Sequence, residues 1–380
     1  MRICIVYDCL FPYTVGGAER WYRNVAQRLA ADGHEVTYLT LRQWERGERG
    51  EVPGVRVVAA GPRMRLYAGA GQRRILPPLV FGAGVFWHLL RHGRRYDVVH
   101  TCSFPYFSLL AAALLRRVGG YRLVVDWFEL WSREYWREYL GGVGGRVGET
   151  VQALCVRVRQ RAFAFAQLTA DRLRAAGLRG EIQVLRGLYA GMESPPAPVP
   201  AEPVVVFAGR QIPEKRAPAV VPAVAWARRR VAGLRGLILG DGPDRDAVRA
   251  AIAAHDASGF VDAPGFVPTE EVEAALARAL CMVLPSRREG YGLIVVEALS
   301  LGTPCVVVRD PDNAATELIE DGVNGFVAES VAPEELGAAI LRVHEGGAAL
   351  RESTARWYAD HAAELALDSS LDAVAASYAG

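Results

Sequence analysis

Two runs of short, Val- and Ile-rich segments constrain this chain more than any other feature. Each run alternates with helical stretches, and the proline-rich SPPAPVPAEP at 194–203 separates them. RICIVYD, EVTYLTL, VRVVAA, YDVVHTC and YRLVVDWF read as strands in the first run; VVVFAGR, GLILGDG, GFVDAPGF, CMVLPS and TPCVVV do so in the second. Short apolar runs without polar alternation suit strands buried on both faces, the condition of a parallel sheet covered by helices. Between the first two strands, GAERWYRNVAQRLAADG places Trp21, Val25 and Leu29 at i, i+4 and i+8, one apolar helix face. The pattern predicts an α/β protein of two doubly wound, Rossmann-like domains facing a central cleft, joined by a linker. The expected bounds are 1–195, 196–355 and a C-terminal helical segment, 356–380, that packs back on the first domain. Ligands of such sheets bind beyond the C-terminal ends of the strands, so the chemistry is expected on the loops there.

Composition narrows the class. Of the 380 residues, 51% are hydrophobic, which is enough for two real cores. No apolar run reaches the ~18 residues of a membrane span, the nearest, ILPPLVFGAGVFWHLL, being broken by Pro77 and Pro78. MRICIVYD begins at once with a strand, leaving no room for a signal peptide, and six scattered cysteines read as free thiols in a reducing compartment. A cytoplasmic protein is expected. Net charge is +2 but uneven: residues 1–195 carry 28 Arg against 16 Asp and Glu, while 196–380 carry 15 Arg and one Lys against 26. The basic half suits an anionic lipid surface or a phosphate-bearing acceptor; an arginine-biased coding composition accounts for it equally.

The strand exits of the second half hold the polar residues. GRQIPEKR (209–216) places Gly209, Arg210 and Lys215, the only lysine, after one strand. Two cations beside a helix start suit a diphosphate leaving group. LGDGPDRDAV supplies Gly240 and Gly242, which a plain turn also explains, and GFVPTEEVEAAL places Thr269 as a helix cap. REGYGLIVVE (288–297) carries two glutamates eight positions apart around Gly290, Tyr291, Gly292 and Leu293. The glycines permit unusual backbone dihedrals and expose N–H groups at a helix start, which favours an anion. Glu289 and Glu297, the latter expected to be buried, flank that nest as acceptors for two diols. Ordinary salt-bridged acids are the plainer reading.

GRQIPEKR, LGDGP, GFV, EGYGLIVVE and, further on, EAL…GTPCVV and TELIEDGVNGFV occur in an order that resembles the retaining glycosyltransferases of family 4, the glycosyl transferases group 1 with the GT-B fold. FPYTVGGAER is similar to the family's glycine loop after the first strand, and it is not a G-x-G-x-x-G, which disfavours a nicotinamide cofactor. The resemblance implies a hexosyltransferase-like transfer from a nucleoside-diphosphate sugar, UDP first and GDP second, to a hydroxyl of a glycan, lipid-linked or small-molecule acceptor. It implies that Arg210 and Lys215 hold the diphosphate, that Glu289 binds the transferred sugar and that Glu297 binds the ribose. Gly16, Gly17, Gly209, Gly290, Tyr291, Gly292 and Leu293 would approach sugar and phosphates, and Phe266 and Val267 the base. No cofactor, bound metal or nucleic-acid partner is implied.

The chain departs from the family on the acceptor side. Relatives place a histidine in a motif like W-H-E-x-W, whereas this chain reads Trp127, Phe128, Glu129, Leu130, Trp131. His100, at the end of YDVVH, becomes the polar catalytic candidate, with Asp126, Phe128, Glu129 and Trp131 as acceptor candidates. The aromatic-dense 127–139 suits an acceptor wall, a membrane-facing flap or a packing helix. A sugar-nucleotide epimerase and a catalytically silent nucleotide-sugar-binding relative stay open beside the transferase.

Overall fold

The computed structural model describes residues 1–45, 47–66, 73–191 and 198–379. Seven parallel strands make the first sheet: β1 (Arg2–Val6), β2 (Glu35–Leu41), β3 (Arg56–Gly61), β4 (Val98–Cys102), β5 (Arg122–Trp127), β6 (Arg161–Ala164) and β7 (Ile182–Val184). Their order is β3-β2-β1-β4-β5-β6-β7. The chain order therefore reverses beside β1, so the loops leaving β1 and β4 diverge and open a crevice at their C-terminal ends. Ile3, Cys4, Ile5, Val6, Val98 and Val99 are fully buried, as helix-covered parallel strands require. Helix Gly17–Ala31 lays Trp21, Val25 and Leu29 into the core, as their spacing predicts.

The second sheet repeats the plan with β8 (Val204–Ala208), β9 (Arg235–Leu239), β10 (Val261–Gly265), β11 (Cys281–Leu284), β13 (Cys305–Val308) and β15 (Gly325–Ala328), ordered β10-β9-β8-β11-β13-β15 and all parallel. Two short strands, β12 (Arg288–Glu289) and β14 (Asp312–Asn313), pair with each other outside that sheet. Helix Thr269–Arg278 starts after Pro268 with no side-chain cap, so Thr269 is its first residue rather than its cap.

The chain forms two compact units, Met1–Leu185 with Ser370–Gly380, and Arg186–Ser369. The first crossing falls at Leu185 rather than at the proline-rich segment, part of which lies outside the described residues. Tyr189 explains the shift: its backbone N–H donates to Leu365 O (3.2 Å) and its carbonyl accepts from Leu367 N–H (2.8 Å), tying 186–191 to the second unit. The second crossing falls inside the segment 356–380. Tyr358 and Leu365 are buried on helix Pro333–Leu365 of the second unit, and only the residues from Ser370 onward belong to the first. All six cysteines are buried and free, and burial pushes the Cys281 thiol up to about 12. No helix among the described residues is long and apolar enough to cross a membrane.

Candidate functional site

In the second unit the exits of β8 and β9 approach backbone to backbone. Gly240 has φ +114°, and a Cβ there would lie 2.0 Å from Gly209 O. Gln211 N–H donates to Asp241 O (2.9 Å), and Asp244 N–H donates back to Gln211 O (2.9 Å). Gln211 is fully buried and its amide donates to Gly240 O (2.8 Å). The loop after β8 is thereby fixed. It turns the Arg210 side chain out to solvent with no side-chain partner among the described residues, and carries Lys215 at the end of a single turn, Pro213–Lys215.

The Lys215 ammonium forms an ion pair with Glu289 Oε1, and the Ser286 hydroxyl donates to the same oxygen (2.8 Å). The two side chains are only 20% and 10% exposed. A partly desolvated pair of this kind is costly to break unless another charge replaces the lost partner. Asn313 sets the geometry: its amide donates to Ser286 O (3.2 Å) and Val308 O (2.8 Å), while its Oδ1 accepts from Ala315 N–H (3.1 Å). Arg216 holds Asp310 at 3.0 Å. Among the described residues no cluster of His, Cys, Asp or Glu is arranged to hold a metal ion.

Downstream of Glu289, Gly292 takes φ +98° as the cap of helix Leu293–Ser300, and a Cβ there would sit 2.7 Å from Ala315 Cβ. Val295 N–H donates to Gly292 O (2.9 Å), and the N–H groups before it carry the positive end of the helix. Glu297 is half-buried rather than buried, one and a half turns along the same helix. Tyr291 donates its hydroxyl to Arg186 O and its ring is buried, which pushes its phenol well up, so it serves packing more than it offers a free polar group. Beyond β10, Phe266 is 83% exposed with Val267 half-buried beside it. A phenyl ring so exposed at a strand exit is a face for a planar ligand.

In the first unit, Gly16 precedes helix Gly17–Ala31. A Cβ at Gly16 would meet the buried Glu19 carboxylate at 2.3 Å, whereas Gly17 faces open space. His100 differs from its expected catalytic place. It is fully buried, with Nε2 2.8 Å from Asp126 Oδ1 and Nδ1 2.5 Å from the Tyr378 hydroxyl. Asp126 is also fully buried and accepts from Trp21 Nε1 (2.7 Å). The arrangement is satisfied when Nε2 donates to the carboxylate and Nδ1 accepts from the tyrosine. Neither His100 nor Asp126 has an atom free to touch an acceptor.

Phe128 stacks on Phe165 with centroids 4.5 Å apart. Trp131 is half-buried at the centre of an aromatic wall: its ring stacks on Phe104 (5.6 Å) and meets Tyr135 edge-on (4.8 Å). Glu129 Oε2 accepts from Trp131 Nε1 (3.0 Å). Gln152 locks the backbone behind it, accepting from Trp131 N–H (3.0 Å) and donating to Trp131 O (2.9 Å). Trp127 lies apart, fully buried, donating to Gln160 (2.9 Å).

Four contributors escaped the sequence reading. Ser286 and Asp8 stand at strand exits like Glu289, so the same logic reaches them; Asp8 is fully buried and paired with Arg73. Gln152 and Tyr378 sit in helices far along the chain from their partners, and no local pattern marks them.

The family model for glycosyl transferases group 1 matches residues 194–359, and that for glycosyltransferase family 4 matches 15–186. An α-D-kanosaminyltransferase of Streptomyces kanamyceticus is 29% identical over 184 residues, 48% of this chain and 45% of that protein. A GDP-mannose-dependent α-(1-6)-phosphatidylinositol monomannoside mannosyltransferase of Mycobacterium tuberculosis (strain CDC 1551 / Oshkosh) is 32% identical over 172 residues, 41% of this chain and 44% of that one. The matched stretch thus spans less than half the length of these curated relatives. Among solved structures, sucrose-phosphate synthase from Thermosynechococcus elongatus superposes with a TM-score of 0.78 at 17% identity, covering 99% of this chain and 98% of that one. Anabaena HepE, solved with UDP and glucose, superposes at 0.72 and 18% identity over 100% of both chains. These likenesses show the GT-B fold.

Proposed function

The chain belongs to glycosyltransferase family 4, and from that premise we propose that it moves a hexose from a nucleoside-diphosphate sugar to an acceptor hydroxyl with retention of anomeric configuration. The observation that carries this reading is the Lys215–Glu289–Ser286 cluster beside the helix start at Gly292. It sets a cation for the diphosphate, an acceptor for sugar hydroxyls and a free positive helix end within one loop system.

In the reaction the bond from the sugar's anomeric carbon to the diphosphate oxygen breaks, and the acceptor oxygen bonds to that carbon. The acceptor proton passes to the departing phosphate oxygen on the same face. Arg210 and Lys215 stabilise the charge gathering on the diphosphate, and Lys215 turns from Glu289 toward it as the donor enters. Glu289 then accepts from sugar hydroxyls, Glu297 from the ribose, and Phe266 covers the base. Catalysis is positioning and electrostatics, with the two cations doing the work a metal does elsewhere. Because His100 is sealed, it acts as a positioning residue through Asp126 and β5.

HepE, crystallised with UDP and with UDP-glucose, supports UDP as the first donor base. The GDP-mannose in the mycobacterial relative's name supports GDP as the second. The Trp131 wall supports an acceptor on the first unit. The lipid acceptor in that same name, together with the exposed Leu76, Leu79, Trp87 and Leu90 on helix Leu76–His92, supports peripheral contact with an anionic membrane from the cytoplasm. Incubating the protein with UDP- and GDP-hexoses, candidate acceptors and excess EDTA tests the reading. A glycoside whose anomeric coupling matches the donor's is expected. Interconverted donor without glycoside identifies an epimerase, and binding without turnover a silent relative; loss of turnover restored by Mg²⁺ ends the metal-independent account.

A further inference from the structure

A cavity of about 240 Å³ opens at the other end of the first unit's sheet, where β4, β5 and β6 begin. Four arginines line it: Arg116 from helix Phe107–Gly119, Arg122 at the first position of β5, Arg159, and Arg161 at the first position of β6. Glu181 is the one carboxylate among its described lining residues, and it takes Arg161 at 3.3 Å. Three guanidiniums also hold backbone: Arg116 donates to Arg159 O (2.5 Å), Arg161 to Ser377 O (3.2 Å) and Arg122 to Tyr378 O. Each of these bonds uses one of five N–H donors, so most of the fork remains unfilled. Arg161 Nε is buried with no acceptor among the described residues, and the exposed Arg159 side chain has no described partner.

We propose that this cavity is a binding site for a phosphomonoester, separate from the nucleotide-sugar site. Three uncompensated guanidiniums match a dianion with several acceptor oxygens, and their planar forks fit phosphate two bonds at a time. The space has room for a phosphate carrying a small polar body. The cavity lies at the N-terminal strand edge, whereas the donor and acceptor candidates lie at C-terminal edges. The same arginines grip the last turn of helix Leu367–Ala379, whose Tyr378 closes over His100, so an occupant also fastens that helix.

The test is calorimetric titration of the full chain with glycerol 3-phosphate while saturating UDP occupies the donor site. Binding that persists under UDP, and that weakens about tenfold or more in Arg159→Gln and in Arg116→Gln, is the expected result. Arg159 has no described side-chain partner, so its variant keeps the wild-type melting temperature and UDP affinity. Displacement of glycerol 3-phosphate by UDP, equal binding in both variants, or no binding at millimolar concentration overturns the proposal. Vesicles with and without phosphatidic acid separate the two sources of the same chemistry. Co-sedimentation abolished by Arg159→Gln assigns the site to a lipid headgroup, and soluble binding alone assigns it to a free phosphorylated metabolite.

Discussion

Lys215 is the one lysine in a chain of 43 arginines, and it rests on Glu289. Two roles read separately from the sequence, diphosphate holder and sugar holder, therefore begin as one ion pair. A donor replaces each partner with something of its own: phosphate oxygens for the lysine, hydroxyl protons for the glutamate. Lys215→Ala and Arg210→Ala are each expected to lower kcat/KM by roughly 10²–10³, the size of effect seen when one donor to a developing anion is lost. Steady-state kinetics with the donor varied decides, and near-normal turnover in both rejects the diphosphate assignment. Glu289→Gln should lower turnover by about 10² while changing UDP affinity less than about threefold, whereas Glu297→Gln should weaken UDP itself about tenfold, the scale of one hydrogen bond to a charged group. Calorimetry with free UDP checks this, and equal losses contradict the division.

At the scale of elements, the strands most legible in the sequence are those buried on both faces. β1, β2, β4, β5, β8, β9, β11 and β13 announce themselves as apolar runs. β6, β7 and β15 do not: β6 is RAFA, half alanine, and β7 is three residues at a sheet edge, so neither length nor β-propensity marks them. The donor-side loops were legible because strand exits with glycine and charge have few structural uses. The acceptor side was not, because His100 and Asp126 look alike in sequence whether they face a ligand or each other; only the arrival of Tyr378 and Trp21 decides. For the segment 127–139 the structure favours a wall over a simple packing helix, since Gln152 clamps Trp131 while its ring stays half-exposed. Trp131→Ala should raise the acceptor KM by about tenfold, in keeping with the worth of an aromatic face, and leave UDP affinity unchanged. An unchanged acceptor KM removes the wall from the account.

For the whole molecule, charge follows the two units. The first holds 27 Arg against 16 Asp and Glu, the second 16 Arg and one Lys against 26 acids. Attraction of the basic unit to anionic vesicles should fade as salt rises past about 0.15 M, where screening acts over ~8 Å. Co-sedimentation across a salt series reads it; a protein that stays in the supernatant at low salt has no such attraction. The chain's two crossings, at Leu185 and Ser369, carry a different consequence. Because the first unit is completed by residues 370–380, ribosomal synthesis delivers that piece only after the whole second unit has emerged. A fragment ending at Leu185 lacks the hydroxyl that meets His100, so it should be proteolysed faster than the same segment in the full chain. Adding the peptide 367–380 in trans should restore its resistance, which makes this protein a natural candidate for splitting into two halves that report on their own reassembly.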